Sequence, residues 1–182
     1  KFENIKWKDA IIQLHDPKNL NKKGSFYKRL VFDEILSSFL INSKIRKSVK
    51  KLKKTKKKFS SNIINHIKNK IDFELTKDQL KAINEINEDL RSEQKMFRLL
   101  QGDVGSGKTI IALTSILNVI NSKFQVAFMA PTEILAKQHY TLAKRLLPDN
   151  LKINILTSKT DHKIRKKIIN DLEKHQIDLL IG

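Results

Sequence analysis

From residue 72 onward the chain alternates two apolar spacings, and the alternation defines its elements. "LTKDQLKAINEINEDL" (75–90) places Leu80, Ile83, Ile86 and Leu90 on one helical face. The same spacing predicts helices over "KTIIALTSILNVI" (108–120), "TEILAKQHYTLAKRLL" (132–147) and "HKIRKKIINDLEKH" (162–175). Between them lie short, nearly continuous apolar runs: "MFRLLQ" (96–101), "QVAFMA" (125–130), "KINILT" (152–157) and "IDLLIG" (177–182). These predict strands buried on both faces. Strands alternating with helices over short loops need right-handed crossovers, hence an α/β fold with a parallel sheet and helices on both faces. No internal repeat is present.

Upstream the pattern is helical and more polar. "IKWKDAIIQLHDPKNLNKKGS" (5–25) predicts a short helix ending before Asp16-Pro17, then a polar loop. "YKRLVFDEILSSFLI" (27–41) has Leu30, Val31, Ile35, Phe39 and Leu40 at helical spacing, and this helix is expected to run into the basic stretch beyond it. The change of style divides the chain into a helical, Lys-rich connector at 1–71 and an α/β part at 72–182. Gly182 closes an apolar strand that no later helix covers, so the sequence is expected to be part of a longer one.

Charge sharpens this picture. The 37 basic residues exceed the 19 acidic ones, a formal net charge of +18. That excess points to a polyanion, with nucleic acid ahead of membrane because no amphipathic anchor is visible. A bland account stands beside it. The chain holds 31 Lys against 6 Arg, with 24 Ile and 14 Asn, and A/T-rich codons favour Lys, Ile and Asn together. The cluster "KIRKSVKKLKKTKKK" (44–58) resists that account, with ten basic side chains in fifteen and no neighbouring acids to pair with. It is either a solvated helix or a surface for phosphates. No cysteine is present, which excludes disulfides, Cys-ligated zinc and thiol catalysis. No apolar stretch spans a membrane and Lys1 opens no signal peptide, so a soluble intracellular protein is expected.

The candidate chemistry sits at "RLLQGDVGSGKTIIALTSIL" (98–117). Gly102-Asp103-Val104-Gly105-Ser106-Gly107-Lys108-Thr109 fits G-x-x-x-x-G-K-[ST], a chance match in roughly 2 of 1,000 chains of this composition. Backbone N–H groups of such a loop, with a helix N-terminus behind them, make an anion site. Gly105 and Gly107 admit backbone angles that a Cβ would block. Lys108 would reach the β- and γ-phosphates of ATP, and the Thr109 hydroxyl would hold Mg²⁺. Hydrolysis also needs a carboxylate at the end of a later strand. "LVFDE", with Asp33 and Glu34, has helical spacing and precedes the loop, so those acids are read as helix surface, and no other match follows.

With the loop in place, the surrounding blocks resemble superfamily 2 DNA helicases, and among them the RecG family of branched-DNA translocases. Phe73, Leu75, Thr76 and Gln79 resemble that family's adenine-recognition block. "LLQGDVGSGKT" resembles its nucleotide loop, "APTEILAKQHY" (130–140) the DNA-contact block after it, and "ILTSKTDHKIRKKII" with "IDLLIG" the next two strands. "LHDP" and "YKRLVFDEIL" resemble the segment joining a wedge domain to the motor. The resemblance implies an incomplete RecA-like P-loop lobe, with nucleotide contacts at Phe73, Leu75, Gln79 and 102–109. It further implies DNA contacts at Pro131, Thr132, Ser158 and Arg165. It implies an ATP- and Mg²⁺-dependent monomer of the bacterial cytoplasm and nucleoid. Such an enzyme remodels stalled forks and Holliday junctions in recombination and repair. The 182 residues alone, without the Walker B acid and second lobe, are expected to turn ATP over negligibly.

Several of these residues have a plainer structural account. Thr76 and Gln79 also spell a capping box. Thr132 also serves as an N-cap, and a helix N-terminus can equally bind phosphate. Ser158-Lys159 follows Leu156-Thr157 where the family has Gly-Ser, a departure in the register of that phosphate contact. His139, Tyr140 and Trp7 are expected to pack, and the five His show no metal-ligand spacing. Two other readings remain open. Transcription-repair coupling factors carry a similar loop, though more often with Tyr where Ser106 stands, and lack the upstream connector. A non-catalytic nucleotide switch with a basic tail would use the loop for conformation alone.

Overall fold

The structure, a computed structural model, describes residues 5–16, 24–59 and 63–182. The expected polar loop after Asp16 falls at 17–23, outside the described residues. Two compact units emerge, Lys1–Leu52 and Lys53–Gly182, a division upstream of the boundary read from composition.

The first unit pairs helix α1 (Trp7–His15) with the long helix α2 (Ser25–Lys51), and Ala10 is the buried contact of α1. Asp33 lies on α2 and pairs with Arg29 one turn earlier at 3.1 Å, so the "LVFDE" acids are helix surface, as their spacing predicts. Trp7, expected to pack, is instead 57% exposed.

The second unit contains α3 (Ile63–Lys68), α4 (Lys77–Arg91), α5 (Lys108–Asn121), β1 (Val126–Phe128), α6 (Glu133–Leu146), β2 (Ile153–Ile155), α7 (His162–Glu173) and β3 (Leu179–Ile181). The strands form one parallel sheet in the order β1-β3-β2, with Val126 and Ile153 both opposite Leu179. β3 therefore lies between strands that precede it, the arrangement produced by β1-α6-β2-α7-β3 crossovers. α5 anchors the core. Ile110, Ile111, Leu113, Ile116, Leu117 and Ile120 are buried against α3, α4, α6 and β1. Full burial of each such side chain is worth about 1.5–3 kcal/mol before the entropy of ordering it.

The helices begin and end for local reasons. Thr76 and Gln79 make both halves of a capping box at α4, Thr132 accepts from the Leu135 N–H at α6, and Asp161 accepts from the Lys163 N–H at α7. α5 and α7 close with left-handed residues, Lys123 at φ 64° and His175 at φ 54°. In each, the next amide reaches back five residues, Phe124 N–H to Val119 and Gln176 N–H to Asp171.

Two expectations are corrected. Residues 96–101 form no strand. A strand needs a neighbour for its N–H and C=O groups, and among the described residues only Lys53 and Gln94 form an isolated antiparallel bridge nearby. Leu99 is 83% exposed, while Arg98 ties the segment to α4 through Asp89 at 2.7 Å and Glu85 at 2.6 Å. The basic stretch is also not one solvated run. α2 ends at Lys51, and residues 53–59 form a strap along the second unit. The Lys54 N–H donates to Glu93 O at 2.7 Å and the Lys57 N–H to Leu90 O at 3.1 Å. Lys56 pairs with Glu93 at 3.2 Å, and the Lys57 ammonium sits 2.9 Å from the centre of the Phe124 ring. The partners come from positions more than thirty residues away, beyond any local pattern.

Candidate functional site: a phosphate loop and a polar cleft

The loop at 102–107 leads directly into α5. Gly105 and Gly107 both sit at φ 82°, a left-handed angle that costs a Cβ-bearing residue about 1–2 kcal/mol. Gly107 is the N-cap of α5, so the positive end of the helix dipole faces the loop. The Lys108 ammonium folds beneath its own loop. It donates to Gly102 O at 2.7 Å and Asp103 O at 2.6 Å, with Ser106 Oγ at 3.5 Å. A Cβ on Gly105 would meet nothing within 4 Å, so the crest is open to a ligand, and Val104 beside it is fully exposed. These features fit a polyphosphate: an open anion cradle, a lysine already inside it, and a hydroxyl residue, Thr109, at the second helical position.

Gln79 joins this site to α4. Its Oε1 accepts from the Thr76 N–H at 2.9 Å, and its Nε2 donates to Ser106 O at 2.9 Å. One side chain thus completes the capping box foreseen in the sequence and also grips the loop, a contact across twenty-seven residues that the sequence did not suggest. A Cβ on Gly107 would collide with that same amide. Phe73 lies just upstream, 55% exposed and able to stack on a flat ligand, whereas Leu75 is buried in the core.

A second constellation opens beyond the carboxyl ends of the strands. Pro131, Thr132, Ser158 and Arg165, far apart in sequence, line one cleft of about 310 Å³ with Glu133, Thr157 and Gly182. Arg165 reaches the Thr157 carbonyl at 2.9 Å, and the Thr157 N–H is held by Thr160 Oγ1 at 2.9 Å, which shapes the loop carrying Ser158. Glu133, which the sequence reading passed over, brings a carboxylate into this cleft. Lys137 at 2.8 Å and Lys159 at 3.7 Å neutralise it. The hydrogen bond from Lys137 holds its pKa below the ordinary glutamate value. His139 stacks on Phe128 at 4.7 Å and Tyr140 packs against the core, as expected of both. No cluster of metal-ligating side chains occurs among the described residues.

The DEAD/DEAH box helicase family model matches residues 76–182, from the Thr76 cap through the phosphate loop to the last strand. The chain belongs to the DEAD/DEAH box helicase family. Its fold matches the solved structure of RecG bound to a three-way DNA junction, with a TM-score of 0.74 and 38% identity over 96% of this chain and 24% of that one. The ATP-dependent DNA helicase RecG of Borreliella burgdorferi is 39% identical over 100% of this chain and 26% of its own length. The Aquifex aeolicus RecG is 38% identical over 95% and 23% respectively. The chain thus spans about a quarter of the length of the curated relatives it matches. Within this helicase lobe, sequence reasoning missed Glu133 and the Arg98 pairs, whose one signal was charge at unremarkable positions. It singled out the strap lysines as part of the basic run at 44–58 but not their partners on α4 and at Phe124.

Proposed function

We propose that the intact protein is an ATP-dependent DNA translocase of the RecG type, remodelling branched DNA such as stalled forks and Holliday junctions. The observation carrying this reading is the open phosphate loop with Lys108 inside it and Gln79 on its rim, in a chain whose fold follows RecG. Lys108 would exchange its two loop carbonyls for β- and γ-phosphate oxygens, and Thr109 would hold Mg²⁺, which neutralises the phosphate charge. Phe73 and Gln79 would contact the adenine, Gln79 by re-aiming an amide now engaged with Thr76 and Ser106. The cleft of Pro131, Thr132, Ser158 and Arg165 would receive a DNA phosphate, combining a helix N-terminus, a hydroxyl and a guanidinium. Residues 72–182 would form the start of the first RecA-like domain, with 1–71 the connector from a wedge domain. The protein would act as a monomer in the cytoplasm, at the nucleoid. Among the described residues no helix is long and apolar enough to cross a membrane.

The test is DNA-stimulated ATP hydrolysis by the product of the intact reading frame, on a three-way junction, plain duplex and single strand, with Lys108→Ala as control. The junction should stimulate most and Lys108→Ala should abolish turnover. Equal stimulation by plain duplex would favour a coupling-factor-like translocase, and no stimulation a nucleotide switch.

A further inference from the structure

The strap at 53–59 does more than cover the second unit. The Lys54 ammonium donates to Leu90 O and Ser92 O, both at 2.7 Å, and so closes the C-terminal end of α4. Ser92 adds its own bond to Asp89 O at 2.8 Å. Burial pushes the Lys54 pKa down despite the nearby Asp89 carboxylate, so this ammonium has given up water to reach its carbonyls. At the other end of α4, Gln79 holds Ser106 of the phosphate loop. Between the two ends, Glu85 and Asp89 hold Arg98 on the segment entering the loop, and Asn87 accepts from the α5 residue Asn118 at 2.6 Å. α4 is thus a bar of fifteen residues, about 22 Å long, fixed to the strap at one end and to the loop at the other.

We propose that Lys54 is a positioning residue for the nucleotide site, fixing α4 so that Gln79 holds the phosphate loop in its binding geometry. The inference rests on the loop being an ATP site. It makes the strap, which continues directly from α2, a mechanical input to nucleotide affinity. An ammonium is suited to this task because its three donors can serve two carbonyls at once at a helix end of negative partial charge. Methionine keeps the length of the stem and removes every donor. Arginine keeps both charge and donors.

The experiment uses the product of the intact reading frame and titrates ATP at saturating branched DNA. Lys54→Met should raise the KM for ATP on the order of fivefold, the low end of ordinary site-to-site coupling, with kcat within about twofold of wild type. Lys54→Arg should return KM to near the wild-type value. Lys56→Met, which removes only the exposed pair with Glu93, should leave KM unchanged. Amide hydrogen exchange over 102–109 should quicken in Lys54→Met and not in Lys56→Met. Should Lys54→Met fail to fold, Lys54→Gln, which stays polar but loses the ammonium and one atom of reach toward the two carbonyls, is judged by the same criteria. An unchanged KM, an equal shift in Lys56→Met, or faster exchange confined to residues near 90–93 would overturn the proposal and leave Lys54 a local helix clamp. If wild type is active and Lys108→Ala is dead while Lys54→Met matches wild type, this inference alone falls. If wild type hydrolyses no ATP, the nucleotide reading falls and this inference with it.

Discussion

Gly105 and Gly107 provide a matched pair of perturbations, because both hold φ at 82° while an added Cβ would meet open space at the first and the Gln79 amide at the second. Gly105→Ala places its methyl in open space, so its cost is the left-handed strain of about 1–2 kcal/mol alone. Gly107→Ala carries the same strain and also drives its methyl into the Gln79 amide. That amide cannot swing aside freely. It is held by the Thr76 N–H at 2.9 Å and by Ser106 O at 2.9 Å, and exposed hydrogen bonds of this kind contribute about 0.5–1.5 kcal/mol each. Gly107→Ala should therefore cost about 1–3 kcal/mol more than Gly105→Ala if both bonds are lost. With a urea dependence of about 2 kcal/mol per molar for a domain of this size, the midpoint should fall by roughly 0.5–1.5 M more. Urea unfolding of the 182-residue chain, followed by far-UV circular dichroism, measures this directly. In a Gln79→Ala background the two alanine variants should become equal. Equal midpoints in the wild-type background, or a gap that survives Gln79→Ala, would refute the claim that Gln79 grips the loop at Gly107.

Two further outcomes follow from charge. Glu133 has a lowered pKa, so the folded state binds fewer protons than the unfolded one between that value and the ordinary 4.5; the pairing stabilises the fold above this window and disappears as pH falls through it. Titration of Glu133 by nuclear magnetic resonance should show the depressed value, and Lys137→Ala should move it back toward 4.5. On duplex DNA, neutralising exposed Lys44, Arg46, Lys47 and Lys51 of α2 should flatten the salt dependence of binding by the intact protein, by about 0.9 in slope for each phosphate left without its cation. Neutralising Lys54 and Lys57, which are spent on α4 carbonyls and the Phe124 ring, should leave that slope unchanged.

The sequence by itself determined what depends on neighbours within a few residues. α4, α5, α6 and α7 fall where the apolar spacing places them, because helical hydrogen bonds and caps such as Thr76, Thr132 and Asp161 are local. The phosphate loop was legible for the same reason, since its glycines, lysine and threonine are contiguous. The three strands were legible in kind, and parallel pairing followed from the helices between them. Tertiary structure decided the rest. Residues 96–101 are as apolar as the other strands, but a strand exists only where another backbone lies alongside. The ten charges of 44–58 look alike in sequence, and their division into exposed α2 lysines and a strap bound to residues 90–93 depends on partners more than thirty positions apart. Gln79 illustrates both levels. Its bond to Thr76 spans three residues and could be foreseen, whereas its bond to Ser106 spans twenty-seven and required the fold. Pro131, Thr132, Ser158 and Arg165 meet in one cleft for the same physical reason: parallel crossovers bring the ends of β1, β2 and β3 to one edge of the sheet.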